Sequence, residues 1–217
     1  MPDGSPHVVV EEKDGVILLR LQSADNTNRL TRACVLALTT VIRKLQPEAQ
    51  PLIITGSEKY FSVGADLGEI AELHGHDAYT FSQMGQALMN AVAQFPAPVY
   101  AAIHGYCMGG GLDLALACHR RIASPHGIFG HRGAALGLIT GWGGTQRLPR
   151  IVGRAKSLEL LVAAEKLHAP EALRIGLVDA VVAEPVAEAI RRLALAPKWE
   201  RLGAQTMVST ATLVLFN

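Results

Sequence analysis

Apolar residues fall along the chain in two patterns: short runs bounded by turn residues, and longer stretches with helical spacing. The two alternate. His7 to Val10 and Val16 to Leu21 are rich in β-branched residues and flank Asp14-Gly15, which predicts a hairpin. Thr31 to Leu45 has helical spacing, with Asn28 or Thr31 available as its cap. PLIITG, Pro51 to Gly56, reads as a buried strand ending in a turn. SEKYFSVGADLGEI follows as a loop that runs into a helix near Asp66, and Asp77 to Phe95 predicts a longer helix.

PVYAAIHG, Pro98 to Gly105, is a second buried strand. It leads into GYCMGGGLDLALACH, a glycine turn that opens a buried helix near Gly110. Arg120 to Ser124 reads as a strand and Gly143 to Val152 as a helix. Helical stretches follow at Lys156 to Ala164, Pro170 to Ile175 and Pro185 to Ala194, with a short strand at Val178 to Val182. The tail from Trp199 to Phe216 is expected to begin as a helix. Strands alternating with helices predict an α/β fold. Pro185 and Pro197 are candidate joints, and the expected division is a main unit, 1–184, and a short helical C-terminal region, 185–217.

Composition narrows the class. Of 217 residues, 49% are hydrophobic and 18% charged, which supports a sizeable core and argues against disorder. Twenty basic and nineteen acidic residues nearly cancel, and no basic block stands out, so nucleic acid and anionic membranes are poor partners. Cys34, Cys107 and Cys118 lack metal-site or disulfide-framework spacing, so no metal is expected. No secretory signal pattern opens the chain and no apolar run is long enough to span a bilayer. A soluble, cytoplasmic protein is expected.

The chemistry is concentrated in two glycine turns. Each follows a buried strand and precedes a helix: FSVGADL, Phe61 to Leu67, and the turn at Gly109-Gly110-Gly111. Backbone N–H groups at a helix start lack intrahelical partners and carry partial positive charge. Glycine lets a ligand approach that backbone. Two such turns could aim one N–H apiece at one oxygen, as an oxyanion hole does. Asp113 lies three residues after Gly110, on the same helix face, where it could serve as general base or acid. Plainer readings stand beside this one. A first-turn Asp is favoured by the helix dipole alone, and consecutive glycines can mark only close packing. A phosphate cradle is the main rival, although neither GxxxxGK[ST] nor GxGxxG is present.

FSVGADLGEI, AAIHGYCMGGGLDLALACHRRIAS and FGHRGAALGLITGWGGTQRLPRIVGRAKSLELL resemble the signature blocks of the crotonase superfamily, the enoyl-CoA hydratase/isomerase family. AEKLHAPEALRIGLVDAVV resembles the segment that follows them, and the similarity runs from about Val8 to Val182. The resemblance implies a spiral of ββα units and a helical C-terminal region that trimerises or lids the site. It implies a homotrimer or hexamer. It also implies an acyl-CoA thioester ligand, with coenzyme A entering as part of the substrate and no separate cofactor. Carried over by position, the oxyanion donors are Ala65 and Gly110, the catalytic carboxylate is Asp113, and Val63, Gly64, Asp66, Gly109, Gly133 and Trp142 contact the substrate.

The sequence also departs from the family pattern. Hydratases of the family use two glutamates around one water. The first falls at Asp113, shorter by one methylene, and the second at Gly133, which has no side chain. The acidic residue of dienoyl-CoA isomerases would fall at Gly141. His131, Arg132, His104 and Cys107 lie near enough in sequence to be weighed as substitutes; the plainer readings are a loop residue for His131 and a core residue for Cys107. Basic contacts to CoA are thin: Asp25 and Gly68 occupy common basic positions, leaving Arg29 or Lys59 to compensate. The implied function is an acyl-CoA-binding enzyme of the hydratase/isomerase type. A catalytically weakened binding or scaffold member, or a decarboxylase or thioesterase on the same hole, remains open.

Overall fold

The computed structural model describes residues 7–195. The expected tail helix from Trp199 lies outside the described residues. Among these, β1 (Val8–Lys13) and β2 (Val16–Leu21) form the expected antiparallel hairpin. Asp14 and Gly15 both have positive φ, 53° and 75°, which the twist of a two-residue hairpin turn demands. After β3 (Arg29–Leu30) comes α1 (Arg32–Leu45), capped by Thr31, whose Oγ1 accepts from the Cys34 amide at 3.2 Å. Asn28, the other candidate cap, has a different task. It is buried, and its Nδ2 donates to the carbonyls of Tyr60 at 2.8 Å and Phe61 at 3.3 Å.

β4 (Leu52–Thr55) is followed by β5 (Tyr60–Ser62), β6 (Gly64–Ala65), α2 (Leu67–Ala71) and α3 (His76–Ala93). β7 (Val99–Ile103) is followed by β8 (Tyr106–Met108) and α4 (Gly110–Ala117). β9 (Arg120–Ala123) is followed by β10 (Ile128–Gly130), α5 (Gly144–Val152) and α6 (Arg154–Ala163). β11 (Leu167–His168), α7 (Ala169–Arg174), β12 (Ala180–Val181) and α8 (Pro185–Leu195) complete the described chain.

A six-stranded sheet runs β1-β2-β4-β7-β9-β12, parallel except for the hairpin pair. A four-stranded sheet runs β11-β10-β8-β5, and β3 pairs with β6 alone. Each of the pairs β4–β5, β7–β8 and β9–β10 gives its first strand to the large sheet and its second to the small one before helix follows. That repeated step is the ββα spiral.

The large sheet is covered on both faces, which is why its central strands are unbroken apolar runs. Leu52, Ile54, Val99, Ala101 and Ile103 face a core shared with α1, α3 and α4. The alternate residues Val16, Leu18, Ile53, Ala102 and Ile122 face Ala189 and Leu193 of α8. The first residues of the region expected at 185–217 therefore pack directly on the sheet.

One buried cation ties the β9–β12 edge. Arg121 is 6% exposed, and its Nε and Nη1 donate to the carbonyls of Leu177 and Cys118 at 2.7 and 2.8 Å. Its amide donates to Asp179 Oδ2 at 2.8 Å, and Nη2 lies 3.6 Å from that oxygen. Burial pulls the guanidinium below its ordinary pKa, and Asp179 opposes that pull. Removing one partner of a buried pair strands the other charge. Asp179→Ala should therefore cost about 3 kcal/mol, read as a lower urea midpoint with an unchanged slope.

Candidate active site

The two glycine turns meet. The first is fixed from below: Ser62 Oγ donates to the Asn28 carbonyl at 2.7 Å and accepts from the Gly64 amide at 3.1 Å. Val63 donates to the Thr27 carbonyl at 3.1 Å. Gly64 has φ +92°, and a Cβ there would stand 2.7 Å from the Met108 carbonyl and 2.8 Å from the Gly110 nitrogen. Only a residue without a side chain lets the turns touch. In the second turn Gly109 caps α4 with φ +51°, its amide donating to the Gly130 carbonyl at 2.9 Å. A Cβ on Gly110 would lie 3.3 Å from the Ala65 nitrogen, and one on Gly111 would lie 2.7 Å from Ser62. The run of glycines thus serves a turn and two close approaches at once.

Asp113 follows one turn later on α4 and is 2% exposed. The Thr140 hydroxyl donates to its Oδ2 at 2.5 Å. The other oxygen, Oδ1, lies 3.2 Å from Nε2 of His131, itself 5% exposed. The contact is close but not aligned as a hydrogen bond, so both atoms are buried without a hydrogen-bond partner. A Cβ on Gly144, at the start of α5, would overlap Asp113 Oδ1 and come within 2.8 Å of His131 Nε2. The last glycine of GWGG therefore makes room for this pair. Arg147, on the next turn of α5, donates to the Trp142 carbonyl and to Asn90. Burial lowers its pKa, and the Asp113 charge opposes the shift.

These groups open onto a cleft of about 790 Å³, within the size range of small-ligand sites. Val63, Ala65, Gly109, Gly110, Asp113 and Gly133 line it, as do Trp142, His131 and Thr140. Two of the expected contacts do not line it. Gly64 sits behind the turn, packed on Gly110, and Asp66 caps α2 by accepting from the Glu69 amide at 3.0 Å. Trp142 is 4% exposed and wedges between α3 and α4. A Cβ on Gly85 would overlap its indole, and one on Gly110 would lie 2.5 Å from it. Its Nε1 donates to the Phe81 carbonyl at 3.3 Å. The cleft mouth is apolar, with Leu136, Ile139, Leu158 and Val162 exposed along it.

Gly133 begins a tight turn in which Leu136 and Leu138 both donate to its carbonyl, at 2.8 and 2.9 Å. A Cβ there would meet the Leu138 carbonyl at 2.8 Å. The loop has closed around the missing side chain. Sequence reasoning missed Thr140, whose contact with Asp113 spans 27 residues and follows no local rule. It also weighed His131 as a loop residue, whereas the fold buries it against Asp113. His104 does not line the cleft. Arg29 is engaged by Asp25 at 2.7 Å and Asp66 at 3.3 Å, and Lys59 lies over the Tyr60 ring.

The cysteines are inert core residues. Burial raises Cys34 and Cys118 to about 12 and Cys107 well above its ordinary value. Thiolate is the reactive form. All three thiols should resist labelling by a thiol reagent at neutral pH in the folded protein and react fully in guanidinium, as mass spectrometry would record.

Comparison with known proteins shows the family. The family model described as enoyl-CoA hydratase/isomerase matches residues 11–211. The chain belongs to the enoyl-CoA hydratase/isomerase family. It is 41% identical over 194 residues to a "Probable enoyl-CoA hydratase" of Bacillus subtilis (strain 168), covering 88% of this chain and 75% of that protein. It is 36% identical over 179 residues to a crotonyl-CoA hydratase of Syntrophomonas wolfei subsp. wolfei (strain DSM 2245B / Goettingen), covering 81% and 69%. The crystal structure of an enoyl-CoA hydratase from Bacillus anthracis superposes with a TM-score of 0.82 at 34% identity, over 87% of this chain and 77% of that one. DspI of Pseudomonas aeruginosa gives 0.83 at 33%, over 88% and 75%. The crotonase fold of this family member is thus established.

Proposed function

We propose that the protein binds the thioester of an acyl-CoA in the cleft and stabilises its enolate between the Ala65 and Gly110 N–H groups. Asp113 carries the proton. The observation that supports this most is the contact of the two glycine turns beside a buried carboxylate. A Cβ on Gly64 would lie 2.8 Å from the Gly110 nitrogen, while Asp113 stands one helical turn further on. Donors fixed before reaction stabilise developing negative charge without reorganisation, commonly the largest single contribution to catalysis.

Hydration of a short 2-enoyl-CoA is the reaction that the names of the similar hydratases favour. Asp113 accepts a proton from water as the water oxygen bonds to Cβ. The π electrons move toward the thioester oxygen, which the two N–H groups hold. Cα then takes a proton, so that water has been added across the double bond.

The test is loss of the conjugated-enone absorbance of crotonyl-CoA, measured beside calorimetric binding of butyryl-CoA. Turnover with binding is expected. Binding without turnover would overturn hydration and move the search to other reactions of the thioester enolate. Absence of both would overturn the reading.

A further inference from the structure

The reading above does not name the group that delivers the proton to Cα. Asp113 accepts a proton from water, but Cα needs one delivered, and Gly133 offers no group for it. The loop around Gly133 has closed, so a side chain there would meet the Leu138 carbonyl.

We propose that His131 is the second proton-transfer group of this site, coupled to Asp113, and that Thr140 is the residue that positions the pair. Three observations carry this. His131 Nε2 lies 3.2 Å from Asp113 Oδ1, with both side chains almost wholly buried and both lining the cleft. Both atoms lack a hydrogen-bond partner, an expensive state for buried polar groups unless a ligand or water completes it. Gly144 has no side chain where any Cβ would push into the two of them.

The inference rests on the proposed hydration and balances as follows. The proposed cycle starts from the Asp113 carboxylate and a protonated His131. Asp113 takes a proton from water as the C–O bond forms. The imidazolium gives its Nε2 proton to Cα as the enolate collapses, leaving neutral imidazole. The proton on Asp113 then crosses the 3.2 Å contact to His131, and the pair is reset. Water has been added and no other reactant is needed. Thr140 donates to Oδ2, which turns Oδ1 toward His131.

Among the described residues, the charged and titratable groups near the pair are few. Arg147 on α5 acts on Asp113 by its charge, and Cys107 on β8 is held neutral by burial. Arg132 lines the cleft next to His131. His131 also borders a small void lined by the apolar residues Leu112, Leu148, Leu160 and Leu167.

The test is steady-state hydration of crotonyl-CoA by the unmodified protein and by His131→Gln, Thr140→Val and Thr140→Ser, each across pH. His131→Gln should lose about 100-fold or more in kcat, hold KM within about threefold, and lose the alkaline limb of the profile. Thr140→Val should lose about 10-fold in kcat, and Thr140→Ser, which keeps the donor, should restore it. An active unmodified protein whose His131→Gln variant keeps kcat and its pH profile would overturn the inference and spare the functional reading. A loss of kcat with an unchanged pH profile would also overturn it, by showing a merely structural histidine. No turnover by the unmodified protein would overturn hydration itself, and the inference with it.

Discussion

Asp113→Asn should abolish crotonyl-CoA hydration, by about 1,000-fold or more, while butyryl-CoA binds within about threefold of the original affinity. Asparagine keeps the shape of the side chain and an oxygen to accept from Thr140, so the carboxylate's surroundings persist. What disappears is the ability to take a proton. The removed charge is buried, near Arg147 and His131, so the variant's urea midpoint should be measured in parallel. A folded variant with intact binding and no turnover separates chemistry from recognition. Turnover within tenfold of the original would remove Asp113 from the mechanism.

The second large effect should come from one methyl group. Gly64→Ala places a Cβ 2.7 Å from the Met108 carbonyl and 2.8 Å from the Gly110 nitrogen, on a backbone with φ +92°. The strain costs of order 1–3 kcal/mol. More important, it forces apart the two turns that hold the donors. A shift of about 1 Å in such a site can cost roughly 100-fold, and kcat should fall by that order. Gly15→Ala is the control. Gly15 also has positive φ, +75°, but nothing lies within 4 Å of its would-be Cβ in the hairpin turn. That variant should lose stability and keep kcat.

These two glycines show what the sequence carried and what it did not. The hairpin at Asp14-Gly15 was legible because turn chemistry and β-branched flanks agree within a few residues. β4 and β7 were legible because strands buried on both faces are unbroken apolar runs. β6 and β11 have two residues each, and β5, β8 and β10 have three, too short for any period to show. They form because neighbouring turns bring them together.

The site divides the same way. Gly110 and Asp113 share one helix face, so their relation is local. The meeting of Ala65 with Gly110 could be guessed from two similar turns after two buried strands. Asn28 looked like a helix cap because its residue type suits one, yet the β5 backbone claims its amide. His131 reaches Asp113 because β10 pairs with β8 beside the start of α4, and Thr140 only after the loop from Gly133 to Gly141 has folded back. That loop is fastened by Ser82 and Gln86 of α3, which donate to the Gly141 carbonyl at 2.9 and 2.8 Å. Nothing in the order of residues marks these contacts.

The central claim is that the touching glycine turns polarise a thioester carbonyl. Difference infrared spectroscopy of bound crotonyl-CoA carrying ¹³C at that carbonyl, recorded with Asp113→Asn so that the ligand persists, tests it most directly. The account predicts a stretch shifted below its frequency in water, with much of the shift lost when Gly64→Ala is added. A bound carbonyl that absorbs where it does in water would contradict the account.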